Sequence, residues 1–320
     1  MYCAAFRGSP YRPEDSLQHL IGIGFKIAAT FLLTSMAALV KLMADTIPTG
    51  ELMFARSFFA LGPLIVWMII RKEFPTALRT NRLGGQILRG AFGGAAMIGF
   101  FTALRFLPLP DMTAIQFVSP LMTVALAALL LGETVRLFRW TAVSVGFLGV
   151  ILILWPHIGG GWKGDEGAFG ALLAVVAASL TALAMIQIRN LAGSETTASI
   201  VFYFSITTSV MGLATLPFGW VMPDLKGALI LLAIGLIGGF GQILLTLSYR
   251  YAPASVIAPF DYTAMIWSIL LGFLMFGEVP LPIVLVGSTV VIAAGLAVIW
   301  REHWLGLKRA EMRRSGLPPV

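Results

Sequence analysis

Ten stretches of about 20 nearly uncharged residues follow one another along this 320-residue chain, separated by short segments of charged, Gly and Pro residues. A helix of that length spans the ~30 Å hydrocarbon layer of a bilayer. The stretches fall at 20–43, 52–70, 87–107, 113–131, 138–156, 168–188, 200–218, 229–249, 255–276 and 281–300. Only 12% of the residues are charged against 58% apolar, about half the charge of a soluble domain. A transmembrane β-barrel would show short alternating segments instead of continuous runs. The expected fold class is therefore an all-α membrane protein with ten transmembrane helices.

The first run is too long for a signal-peptide core, so it is expected to remain as a span. The expected organisation is a cytoplasmic N-terminal tail at 1–19, two blocks of five spans at 20–156 and 168–300, and a basic cytoplasmic tail at 301–320. With both termini inside, the cytoplasmic segments hold Arg71, Lys72, Arg79, Arg82, Arg89, Arg136, Arg139, Arg189, Arg250 and the basic residues of both tails. The other side holds only Arg105, Lys163 and Lys226, as the positive-inside rule requires. That asymmetry accounts for the net charge of +7 without a nucleic-acid partner. The lone Cys3 excludes a disulfide framework and a thiolate metal site. Cofactors are not expected; the partners expected are a small-molecule substrate and membrane lipids, and a homodimer is compatible with the sequence.

Sliding the chain on itself by 145 positions superposes Gly90, Gly93, Gly94, Arg105, Pro108, Gly132, Glu133 and Trp155 on Gly235, Gly238, Gly239, Arg250, Pro253, Gly277, Glu278 and Trp300. A shift of 148 aligns the first two spans with the sixth and seventh, placing Lys41 on Arg189, Phe54 on Phe202 and Ser57 on Ser205. Each half has an odd number of spans, so the second half enters the membrane in the opposite sense. Two inverted five-helix repeats are the architecture of many secondary transporters.

Further motifs occur in order along the chain: Ala55-Arg56-Ser57-Phe58-Phe59, Leu88-Arg89-Gly90, Ala103-Leu104-Arg105-Phe106-Leu107-Pro108, Ser119-Pro120, Leu131-Gly132-Glu133 with its echo Phe276-Gly277-Glu278, and Gly146-Phe147-Leu148-Gly149-Val150. Taken together they resemble the drug/metabolite transporter superfamily, within its EamA-type ten-span proteins. The resemblance implies a carrier in the bacterial inner membrane that moves small metabolites without ATP. Relatives of this spacing are associated with riboflavin, S-adenosylmethionine, carboxylates and amino acids, in uptake or export. Met265 stands where the repeat would place a second Pro120.

Ionisable groups within spans normally face the bundle interior or a cavity. Asp261, in Pro259-Phe260-Asp261-Tyr262, is repeat-equivalent to Gln116, and Tyr262 to Phe117. Asp261 lies roughly 9 Å from the inner boundary at about 1.5 Å per residue, with Gln116 similarly placed from the outer one. Gln116, Phe117, Asp261 and Tyr262 are therefore candidate substrate contacts, with Asp261 also the proton-coupling candidate. The alternatives are a structural polar pair, or permanent pairing of Asp261 with Arg56 or Lys41. Lys41, Glu51 and Arg56 gather near one end of the first two spans, where a cation left over by Glu51 would attract an anion. Lys41 and Arg56 are thus further substrate-binding candidates, against a plain Glu51–Arg56 pair. Pro120 and Pro259 each remove a helix hydrogen bond, freeing the carbonyls of Gln116 and Ser255. Glu133 and Glu278 end their spans as expected caps of the following helices, and the glycine stretches 90–99 and 235–241 are expected packing faces.

Secondary transport of a small polar metabolite by alternating access is the function these features favour. Among the named cargos, an aromatic and amide-lined site leans toward riboflavin. An intramembrane enzyme would need a nucleophile with a base, or metal ligands, yet His19, His157 and His303 stand at span boundaries. A channel would need a continuous hydrophilic pore, and the polar residues here are few and clustered.

Overall fold

The computed structural model describes residues 13–131, 137–157 and 165–314. Gly132, Glu133, Arg136, Lys163 and the run Gly159-Gly160-Gly161 lie outside the described residues. The first repeat comprises α1 (Pro13–Met43), α2 (Thr49–Ile70), the short α3 (Phe74–Ala77), α4 (Leu83–Ala103), α5 (Leu109–Gln116), α6 (Val118–Leu131) and α7 (Leu137–Leu154). The second comprises α8 (Asp165–Leu191), α9 (Thr197–Leu213), α10 (Leu225–Tyr251), the short α11 (Ala254–Ile257), α12 (Thr263–Phe276) and α13 (Pro282–Arg314). Among the described residues, nine helical segments are long and apolar enough to cross a membrane. The tenth span is α4, whose 21 residues reach about 31 Å and whose many glycines dilute its hydropathy. It begins four residues before the expected 87 and ends four before 107.

Local signals set the helix ends. Thr196 and Asp224 cap α9 and α10 by accepting from the N–H groups of Ser199 and Gly227. Pro48 and Pro108 precede α2 and α5, and Gly277 ends α12 with φ +66°.

The expected fourth and ninth spans are each interrupted. The fourth breaks at Phe117, between α5 and α6, because Pro120 cannot donate to the carbonyl of Gln116 and its ring crowds that carbonyl. The ninth passes from α11 through a 3-10 segment, Ala258–Tyr262, that contains Pro259. The two prolines stand at different repeat positions, so the lack of a proline at Met265 does not prevent a break in the second half.

Helices of one repeat pack mainly on helices of the other. Lengthwise, α1 lies on α10 and α8 lies on α4; α2 meets α9, α5 meets α12 and α7 meets α13. A two-fold operation exchanging the repeats maps the first two contacts onto each other and the α2–α9 and α7–α13 contacts each onto itself. Close contacts obey the same operation. A Cβ on Gly90 would lie 2.5 Å from Thr207, and one on Gly235 would lie 2.3 Å from the repeat-equivalent Phe59. Gly94 and Gly239 meet Met211 and Pro63 in the same way. The interlocked core draws on both halves, with Val40, Leu52, Met112 and Ile115 packed among Leu231, Ile234 and Val291.

Candidate substrate site on the pseudo-two-fold axis

Two repeat-equivalent residues can touch only near the axis that exchanges them. Phe117 and Tyr262 do so, with ring centroids 5.0 Å apart and planes at 73°. Arg56 and Phe204, equivalent at the 148 shift, also meet, with the guanidinium carbon 5.7 Å from the ring centroid. These pairs mark two places along the axis, one between the interrupted spans and one at the crossing of α2 and α9.

At the first, the breaks give the side chains their positions. Gln116 ends α5, and its Nε2 is enclosed without a hydrogen-bond partner. Asp261 lies in the 3-10 segment, with its side chain 48% exposed, and its Oδ1 is 2.7 Å from Lys26 Nζ. Lys26 is 1% exposed, donates to the Tyr249 hydroxyl at 3.3 Å and lies over that ring. One turn further along α1, the hydroxyls of Thr30 and Thr263 are 2.8 Å apart, so one face of α1 holds the break in place. The partner of Asp261 is thus Lys26 from the first span, which corrects the alternatives Arg56 and Lys41. The ammonium is enclosed whereas the carboxylate is open, leaving Asp261 free to accept a second donor.

At the second place, Arg56 is 6% exposed and forms no ion pair with Glu51, whose Oε2 instead accepts from the Val221 N–H at 3.1 Å. Arg89 stacks on the same Phe204 ring, its guanidinium carbon 3.6 Å from the centroid. The sequence places Arg89 among the cytoplasmic charges where the third span opens; in the structure it stands in the second turn of α4, with Nε and Nη1 enclosed.

Lys41 is separate from Arg56. It lies 2.9 Å from Glu278 Oε1 and donates to the carbonyls of Leu104 and Leu107. Glu278 Oε2 accepts from the Leu109 N–H at 2.7 Å. Glu278 therefore caps α5 of the opposite repeat and not the helix that follows it. Nearby, Asp111 Oδ2 and His157 Nε2 are 2.9 Å apart and almost wholly buried. At this end of the bundle, where α1 ends, these contacts tie α1 to the segment between α4 and α5 and to the segment after α12, and tie α5 to the segment after α7. At the end where α1 begins, Glu195 Oε1 accepts from the Thr80 hydroxyl and from the Asn81 and Arg82 N–H groups, linking the loops before α4 and α9.

Of the basic residues at these centres, Lys26 carries no motif signal, and Arg89 stands in the Leu88-Arg89-Gly90 motif without being marked there as a contact. The available signal is the cost of an ionisable group within an apolar run, the same one that points to Asp261. Among the described residues no cluster of three His, Cys, Asp or Glu could hold a metal ion.

Comparisons with known proteins agree with this architecture. The pseudopaline exporter of Pseudomonas aeruginosa is 27% identical over 278 residues, covering 87% of this chain and 95% of the relative. The S-adenosylmethionine uptake transporter of Rickettsia bellii is 27% identical over 292 residues, covering 90% and 97%. An uncharacterized transporter of Helicobacter pylori is 29% identical, covering 79% and 86%. A solved crystal structure with 21% identity superposes with a TM-score of 0.62 over 88% of this chain and 95% of that one, which shows the fold. The EamA-like transporter family matches residues 20–155 and 168–301. Two family repeats, interlocked helix for helix, make this chain a multi-pass transporter of a small molecule, not an enzyme, and a member of the EamA-like transporter family.

Proposed function

We propose that the protein is a secondary carrier of a small polar metabolite in a bacterial inner membrane, with both termini cytoplasmic, working by alternating access. The observation that carries this reading is the pair of helix breaks at repeat-equivalent depth, where Phe117 meets Tyr262 on the axis between the halves, each preceded in sequence by a polar residue, Gln116 and Asp261. Interrupted spans at a repeat interface expose polar groups where the rest of the bundle is apolar. The Phe117 and Tyr262 rings supply apolar walls, and Gln116 Nε2 and the open Asp261 carboxylate supply one donor and one acceptor.

The contacts at Lys41, Glu278, Leu109, Asp111 and His157 support a state closed at the end where α1 finishes, which the excess of basic residues at the other end assigns to the outside. Rocking of the halves would break these contacts to open this end, and the Glu195 contacts to open the other. Protonation of Asp261 would release Lys26 from its ion pair and loosen the join between α1 and the break; on this basis Asp261 is the proposed coupling residue.

Relatives named for export and for uptake leave direction to experiment. S-adenosylmethionine is the panel cargo that a relative's name supports; the lean toward riboflavin rests on the aromatic and amide residues alone. Counterflow in proteoliposomes with labelled S-adenosylmethionine, riboflavin, dicarboxylates and amino acids tests the reading. Saturable exchange of one compound, lost in Asp261→Asn, is the expected result. Flux that rises linearly with concentration without saturating would point to a channel instead.

A further inference from the structure

The α2–α9 crossing holds two guanidiniums within the spans, on one aromatic ring, with no acid paired to them among the described residues. Arg56 and Arg89 form neither an ion pair nor a hydrogen bond to the protein among the described residues, and Arg56 Nε, Arg89 Nε and Arg89 Nη1 are fully enclosed. A guanidinium keeps its charge in any environment found in proteins. Breaking a buried ion pair by removing one partner is strongly destabilising, and here two like charges share one site.

The surroundings are shaped to hold these groups and not to neutralise them. Gly93 leaves room for the Arg89 guanidinium over Phe204: a Cβ there would come 2.9 Å from Arg89 Nη1 and 2.8 Å from the ring. Gly238, the repeat equivalent of Gly93, leaves room beside Arg56 Nε, 3.6 Å from where its Cβ would be. Cation–π contact offsets part of the desolvation but satisfies no N–H donor. Five donors in a planar fork, presented twice, match the oxygen geometry of a carboxylate or phosphate.

We propose that Arg56 and Arg89, carried on Phe204, form a subsite for an oxyanionic group of the cargo. The proposal rests on the carrier reading and adds the substrate class: a metabolite bearing a carboxylate or phosphate. An anion there balances the two charges at the axis, where both halves share it as they rock.

The test is thermal unfolding of the purified full-length protein in phosphatidylcholine nanodiscs, with sodium acetate or sodium phosphate replacing chloride at constant ionic strength. The expected result is a saturable rise in Tm of about 3 °C with at least one of the two oxyanions. That rise is lost in Arg56→Gln and in Arg89→Gln and kept in Arg105→Gln, a control at an exposed arginine. Should a Gln variant fail to fold, Phe204→Leu, which removes the platform and keeps both charges, should weaken the response at least threefold in half-saturating concentration. No difference between the oxyanions and chloride in the wild type overturns the subsite, as does an equal rise in the Arg variants. In a parallel arm, phosphatidylglycerol discs raising Tm while soluble oxyanions do nothing would assign the arginines to a lipid headgroup and overturn the cargo claim. The assay needs no transport. Oxyanion binding with no counterflow of any compound would count against the carrier reading alone, and counterflow without oxyanion binding against the subsite alone.

Discussion

Lys26 and Asp261 separate what a residue does for the fold from what it does for transport. The enclosed ammonium depends on the half-open carboxylate, so Asp261→Asn should lower stability by about 2–3 kcal/mol, the lower end for a broken buried pair because one partner is open. The double variant Lys26→Met with Asp261→Asn removes both charges and should recover most of that loss in thermal unfolding. Transport should recover in neither, and full exchange by the double variant would make the pair structural. Gln116→Ala should raise the half-saturation concentration about tenfold, consistent with one lost hydrogen bond to a charged or polar cargo, with folded yield unchanged. Asp261 and Gln116 were legible in the sequence because polar groups within apolar runs stand out. Their surroundings were not, because a pairing such as Lys26–Asp261 joins residues 235 positions apart and depends on how α1 lies against the ninth span.

At the scale of elements, spans and caps follow local rules, whereas helix contacts follow the repeat operation. Gly235 faces the backbone of α2, where a Cβ would sit 2.7 Å from the Ala55 carbonyl oxygen, while Gly62 meets nothing within 4 Å. Gly235→Ala should therefore destabilise by about 1–3 kcal/mol. Gly62→Ala should be neutral or stabilising by up to about 1 kcal/mol, both read by thermal unfolding. The break at Phe117 makes the opposite pairing of effects. Pro120→Ala restores an N–H donor to the carbonyl of Gln116 and should raise stability while lowering the exchange rate. A faster carrier with a continuous fourth span would detach the break from function. Pro120 made that interruption readable from the sequence. Glu278 was misread as the cap of its own following helix, since its partners Lys41 and Leu109 belong to the other repeat and only three-dimensional packing brings them to it.

For the whole molecule, inverted symmetry and the basic asymmetry together set topology. Cysteines introduced at Met222 and Asn81 in a Cys3→Ser background should react with an impermeant thiol reagent from the outside and the inside respectively. The reverse labelling would invert the orientation. The existence of two repeats was visible in the 145-residue shift, yet their interlocking, with α1 on α10 and α8 on α4, had no sequence signature because apolar faces of this kind fit many partners. Alternating access requires the end held by Lys41 and Glu278 to open in each cycle. The decisive measurement is counterflow by a Cys3→Ser, Lys41→Cys, Glu278→Cys variant before and after treatment with a short reducible bifunctional thiol reagent. Exchange should fall at least tenfold on cross-linking and return on reduction. Undiminished exchange in fully cross-linked protein would contradict transport by opening and closing of this end.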